Sequence, residues 1–135
     1  MLGGMLVVTR FVLAPPPVEP SDGTPDVEPS GGTPEAEPSA ETGFVERAHA
    51  ALGALAARPG YVRGRLARSY DEPGHWSIVT EWESVGAYRR ALSSFDVKMY
   101  ATPLLAQSLD EPSAYEVLAE VRPGGAMTMT TSDRA

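Results

Sequence analysis

The stretch Met5–Leu13 (MLVVTRFVL) constrains the fold more than any other part of the chain, because it is apolar on both alternating faces. Successive side chains of a strand point to opposite sides of the sheet. Only Thr9 and Arg10 interrupt the run of large or β-branched residues. Such a strand needs cover on both sides. Helices of the same chain can supply one layer, and something else must supply the other.

Little of the chain remains for that second layer. Residues 15–42 hold eight of the thirteen prolines, in a nine-residue repeat that runs VEPSDGTPD, VEPSGGTPE, AEPSAET from Val18. Large apolar residues are nearly absent there, so the segment cannot bury enough surface to offset its ordering entropy. It reads as a disordered, acidic, Pro-rich insertion in a surface connection. Long surface insertions are tolerated because closure entropy grows only logarithmically with length. The segment from Pro123 lacks periodicity and reads as a flexible tail, 123–135. What remains is one domain over 5–122, with 15–42 as its insertion, and setting insertion and tail aside leaves about 95 residues of the chain. Domains of that size often gain from association.

Mapping the charge changes its meaning. Seven of the 18 acids (Glu19, Asp22, Asp26, Glu28, Glu35, Glu37 and Glu41) lie in the insertion with no base beside them. The other 11 acids balance the 11 bases, so the net charge of −7 belongs to the insertion. A balanced domain has no basic surface to hold a phosphate backbone, and nucleic acid is not an expected partner. With no cysteine and only His49 and His75, neither a disulfide framework nor a thiolate or histidine-rich metal site is expected. Met1–Leu13 lacks a basic n-region and a cleavage site, and no run approaches a membrane span. The expected location is the cytoplasm.

Beyond the insertion, Phe44, Ala48, Leu52 and Leu55 recur at helical spacing from Gly43 until Pro59-Gly60 stops the helix. Tyr61–Tyr70 alternates as a strand, with Val62, Leu66 and Tyr70 on one face and Arg63, Arg65 and Ser69 on the other. Asp71–Gly74 is a turn, and His75–Trp82 returns as its hairpin partner. There Arg63 and Arg65 are placed to pair with Glu81 and Glu83. Ser84 caps a second helix with Val85, Tyr88 and Leu92 inward. A helical stretch from Phe95 to Ser108 breaks near Pro103, and Ala114–Val121 is the last strand. The order β-α-β-β-α-β is the ferredoxin-like, split βαβ arrangement of the α+β class, with an antiparallel sheet. Its helices cover one sheet face only. A second copy packed sheet against sheet is the economical cover for the other, so a homodimer is expected.

Sequence motifs for chemistry are sparse. There is no Gly-rich phosphate loop, G-x-S-x-G or H-E-x-x-H. His49 and His75 could titrate near neutrality, and His75 could act as a base if it stood near a pocket. The aromatic residues say more. Trp76, Ile78, Thr80 and Trp82 share one strand face, and Tyr88 follows on the inner side of the next helix. If that face packs under the helices, Trp82 and Tyr88 can line one cavity with Met99 and Tyr100, suited to a flat aromatic ligand. The same residues also fit a plain aromatic core, and both readings stand.

The segments A-R-P-G-Y (57–61) and T-E-W-E-S-x-x-A-Y-R (80–89) resemble the antibiotic biosynthesis monooxygenase family, small dimeric α/β barrel proteins of ferredoxin-like fold. The likeness covers the chain apart from insertion and tail, and the Ala-, Arg- and Pro-rich composition suits an actinobacterial member. The resemblance implies oxidation of an aromatic or polyketide-like small molecule without metal, flavin or other cofactor. In that chemistry the deprotonated substrate passes an electron to dioxygen. It also implies catalytic roles for Trp82 and Tyr88, in a substrate pocket with Ile78, Met99 and Tyr100. Ile78 stands where the family carries an asparagine, four residues before the tryptophan. A haem-degrading branch of the family uses a histidine in the second helical region, and Val97–Thr102 has none. A non-catalytic dimeric binding or accessory protein on the same fold is the alternative.

Overall fold

The structure, a computed structural model, describes residues 4–14 and 40–131. Strand β1 (Met5–Val12) is followed by helix α1 (Ala40–Ala56), then β2 (Tyr61–Arg68) and β3 (His75–Trp82). Next come α2 (Val85–Leu92), α3 (Phe95–Tyr100), α4 (Thr102–Leu105), β4 (Ala114–Glu116), β5 (Ala119–Glu120) and β6 (Thr128–Met129). Four strands form an antiparallel sheet in the order β2-β3-β1-β4. This is the expected ferredoxin-like order, with β3 inserted between β1 and β2.

The sheet centre follows from the two most apolar strands. Met5, Val7, Thr9 and Phe11 of β1 lie opposite Trp82, Thr80, Ile78 and Trp76 of β3, and all eight are buried. Thr9 sits among hydrocarbon because its hydroxyl donates to the Ile78 carbonyl at 3.2 Å. A buried hydroxyl without a partner would be costly. Helix α1 covers this face with Phe44, Ala48, Ala51 and Leu55. The two small alanines let the helix backbone approach the strands. Full burial of a side chain like Phe44 contributes about 1.5–3 kcal/mol.

Helix α1 begins at Ala40, so the last residues assigned to the insertion, 40–42, are helical, and Glu41 pairs with Arg68 at 2.9 Å. The rest of the expected insertion, 15–39, lies outside the described residues. Helix α2 is capped as expected: the Ser84 hydroxyl accepts from the Ala87 N–H at 3.0 Å. It buries Ala87 and Ala91, and Val85, expected inward, is exposed. The helical stretch after it divides at Ala101, with Pro103 in the first turn of α4, where a missing N–H costs nothing.

Three strand expectations change. A bulge between Tyr61 and Arg63 shifts the β2 register against β3. It turns Val62 out to 49 % exposure and brings Tyr61, Gly64 and Leu66 to the inner side. Strand β2 ends at Arg68, and Tyr70 is fully exposed beyond it. The last strand also divides. β4 pairs with β1, whereas β5 turns away to pair with β6, inside the segment expected to fray. The Thr130 N–H donates to the Leu118 carbonyl at 2.9 Å and extends this small reversal.

The opposite sheet face has no helix on it among the described residues. It presents Leu6, Val8 and Val12 of β1 beside Val79, with Tyr115 at the β4 edge. Arg63 pairs with Glu81 at 3.2 Å on this face, as expected, and Arg65 lies opposite Val79. Arg10 grips Glu111 through two bonds of 2.7 and 2.8 Å, and this hydrogen bonding holds the Glu111 carboxyl below the ordinary carboxylate value. Among the described residues no helix is long and apolar enough to cross a membrane.

Candidate active site

The covered sheet face carries two aromatic clusters, one at each end of β3. At the Trp82 end, Tyr61 meets the indole edge-on, with ring centroids 5.3 Å apart and planes at 88°. Tyr88 tilts against the same indole at 5.4 Å. Local sequence builds this group. The bulge turns Tyr61 inward, strand alternation buries Trp82, and the Ser84 cap starts α2 in the phase that points Tyr88 at the sheet. Edge-on and tilted arrangements are those aromatic pairs favour, because a ring's positive edge meets its neighbour's negative face.

Two glycines allow the approach. Gly60 has φ +90°, and a Cβ there would lie 2.3 Å from the Ala87 Cβ, so the α1–β2 turn packs directly on α2. A Cβ at Gly64 would lie 2.4 Å from the Tyr61 hydroxyl, so the phenol lies over bare backbone. Only glycine leaves both spaces open.

The polar atoms of the three rings differ. The Trp82 Nε1–H donates to the Thr80 hydroxyl at 2.9 Å, and both residues are buried. The indole therefore has no free donor to offer a ligand. Tyr88 is half-buried, and its hydroxyl has no hydrogen-bond partner among the described residues. Burial raises the phenols of Tyr61 and Tyr88 above their ordinary value of 10.0. Both stay protonated at neutral pH and can donate. Ile78, 2 % exposed, adds only hydrocarbon.

The structure thus brings together Trp82 and Tyr88, with Ile78 further along the same strand face. It does not bring Met99 and Tyr100 to them. Both lie on the outer side of α3, at 50 % and 54 % exposure, while Val97 and Ala101 fill the inner side. Placing Met99 and Tyr100 inward mistakes the phase of a short helix that restarts at the Ser94 cap. Tyr61 is the residue that sequence reasoning misses. It ends the A-R-P-G-Y segment, but strand alternation without the bulge gives it no inward position.

His75 begins β3 and lies seven residues from Trp82, about 23 Å along an extended strand. It cannot be the base of this site, and His49 is exposed on α1. Among the described residues no group of three or more His, Asp or Glu could hold a metal ion. An open cleft of about 570 Å³ lies elsewhere, between the start of α1 and the β2–β3 turn, lined by Glu41, Arg68, Tyr70 and Asp71 among others.

A ferredoxin-like sheet with one helix-covered face defines a small α+β domain. The family model for antibiotic biosynthesis monooxygenases matches residues 33–102, just over half of the chain, and the chain belongs to that family. Among solved structures it resembles SnoaB, a cofactor-independent oxygenase from Streptomyces nogalater. For a point mutant of SnoaB the identity is 22 % over 83 % of this chain and 90 % of the other, with a TM-score of 0.58. A second SnoaB structure gives 22 % identity over 85 % and 92 % of the two chains, with a TM-score of 0.56. A conserved protein from Methanosarcina mazei aligns at 15 % identity over 87 % and 92 %, with a TM-score of 0.55. These likenesses establish the fold. A search among curated proteins finds no significant match.

Proposed function

We propose that this protein is a cofactor-independent monooxygenase acting on an aromatic or polyketide-like small molecule, as a cytoplasmic homodimer. The observation that carries the reading is the half-buried Tyr88 hydroxyl, unpartnered and tilted against the Trp82 indole. The substrate class best served is one with a methylene made acidic by flanking rings and a conjugated oxygen, as in an anthrone. Its C–H proton leaves to solvent, and the resulting carbanion spreads its charge onto the ring oxygen. Tyr88 donates its O–H to that oxygen, where the negative charge gathers. Donors already aimed at developing charge act strongly in a water-poor site.

The anion passes an electron to dioxygen, and the two radicals combine into a peroxide anion at the former methylene carbon, which takes a proton from solvent to become the hydroperoxide. Loss of water leaves a carbonyl there, so CH2 plus O2 becomes C=O plus H2O. Trp82 acts through shape, since Thr80 occupies its N–H. Tyr61 holds the indole from the other side. The proposed dimer would cover the open face that presents Leu6, Val8 and Val79, and light scattering at micromolar concentration should return twice the chain mass. A monomeric mass would remove this part of the reading.

Oxygen uptake with anthrone, accompanied by quinone absorbance, tests the chemistry. Turnover should be lost in Tyr88→Phe and reduced in Trp82→Phe, and unchanged turnover in both variants would remove their roles. A second reading is a non-catalytic dimeric binding or accessory protein. It is favoured by the commitment of the Trp82 N–H to Thr80 and the lack of a donor at Ile78. Ligand protection against heat without oxygen uptake would decide for it.

A further inference from the structure

Arg58 is the one arginine or lysine among the described residues that is not exposed. Arg10, Arg63 and Arg68 each pair with a carboxylate, and Arg47 donates to the Gly43 carbonyl. Arg58 has no such partner. Its Nε is buried and makes no hydrogen bond. Buried donors in folded proteins are almost always paired, so an orphan of this kind marks a partner not yet in place. A guanidinium keeps its charge whatever its surroundings, and its rigid fork of donors suits an anionic oxygen.

The position of Arg58 follows from the turn that holds it. Its carbonyl accepts from the Tyr61 N–H at 3.3 Å, and the Gly60 carbonyl accepts from the Glu83 N–H at 2.8 Å. Tyr61 is in register with Trp82, and Gly60 rests against Ala87, next to Tyr88. The α1–β2 turn therefore sits at the same end of the sheet as the aromatic group. Arg58 and Tyr61 belong to one short segment and Trp82 and Tyr88 to another, and the backbone pairing brings the two segments to that end of the sheet.

We infer that Arg58 is the anion-binding residue of the Trp82–Tyr88 site, and that the site takes planar aromatic ligands carrying an ionised oxygen. The ring lies against the aromatic group, and the Tyr88 hydroxyl and the Arg58 guanidinium share the anionic oxygen. This inference rests on the aromatic-site reading but not on turnover, so it is tested by binding. The probes are 1,2-dihydroxyanthraquinone, which ionises readily, and uncharged 9,10-anthraquinone, each followed by quenching of tryptophan fluorescence.

The wild-type protein should bind the ionised probe about tenfold more tightly than the neutral one, the scale of one hydrogen bond to a charged group. The preference should shrink with added salt and when the probe is protonated at lower pH. Arg58→Gln should lose the preference while keeping its affinity for anthraquinone, and Arg58→Lys should restore part of it. A wild-type protein that binds both probes equally overturns the inference and leaves the oxygenase reading standing. Equal loss of both probes in Arg58→Gln, with the loss persisting in Arg58→Lys, assigns Arg58 to holding the turn and also overturns it. Binding of neither probe by the wild type removes the aromatic site itself. Oxygen uptake without any effect of Arg58→Gln on anion preference likewise overturns the inference and keeps the oxygenase reading.

Discussion

The two ends of β3 carry aromatic clusters of different character on one sheet face. At the Trp76 end, Phe11, Phe44 and Trp76 meet at centroid distances of 5.1 and 5.4 Å, and both phenylalanines are fully buried. The Arg68 guanidinium lies 5.5 Å from the Trp76 ring centroid and carries its own counter-ion, Glu41. The three rings there carry a single polar group, the Trp76 N–H, which has no hydrogen-bond partner among the described residues. At the Trp82 end, two of the three rings are phenols, and among the described residues neither the Tyr88 hydroxyl nor the Arg58 Nε in the adjoining turn has a hydrogen-bond partner. The same packing geometry serves as core in one place and as candidate site in the other. The difference lies in the polar atoms.

The largest contrast should come from the hydrocarbon end. Phe44→Ala should cost about 3–5 kcal/mol in denaturant unfolding, because α1 and the sheet cannot collapse into so large a void. A cost below about 1 kcal/mol, the usual range of a surface change, would mean that this end is loosely packed, and the comparison would fail. Tyr88→Phe should do the reverse. Stability should stay within about 0.5 kcal/mol, since no bond is removed, while turnover falls by about 10² to 10³. A variant that loses stability and activity together would make Tyr88 a core residue.

Thr80→Val is intermediate. It leaves the Trp82 N–H buried without an acceptor, at a cost of about 1–3 kcal/mol. A neutral result would show that the indole finds another acceptor, and the assignment of Trp82 to shape alone would need revision.

The smallest effect is a pH dependence. The folded state holds the protons of Tyr61 and Tyr88 more tightly than the unfolded chain does, because burial disfavours the phenolates. Their contribution is complete below about pH 10 and is lost as pH rises through the raised folded-state values. Melting temperatures should show no tyrosine-linked change near neutrality and a decline above about pH 10, where phenols ionise. That decline should be shallower in the Tyr61→Phe, Tyr88→Phe double variant. An equal decline would assign the alkaline loss to other groups.

The fold is legible in the sequence wherever a local pattern has a single solution. Alternation predicts β3 over His75–Trp82 with Trp76, Ile78, Thr80 and Trp82 on one face, and it folds so. That alternation is uninterrupted and its ends are marked by Asp71–Gly74 and Ser84. β2 is less legible because a bulge adds one residue to one strand, and nothing local to Tyr61–Arg63 announces it. The candidate site is legible in part. Trp82 and Tyr88 share a short segment whose cap and strand phase fix both. Tyr61 joins them only through the pairing of β2 with β3, a contact invisible to periodicity.

By itself the sequence determined the element order, the two-faced apolar first strand and the confinement of net charge to residues 15–42. These depend on side-chain period and composition, which are local quantities. Only the tertiary structure decided that Tyr61 joins Trp82 and Tyr88 at one end of β3 while Phe11 and Phe44 gather on Trp76 at the other. It also decided that the Trp82 N–H belongs to Thr80, and that Met99 and Tyr100 face outward. Burial and hydrogen-bond pairing depend on segments far apart in sequence, so the difference between core and site appears only when those segments meet.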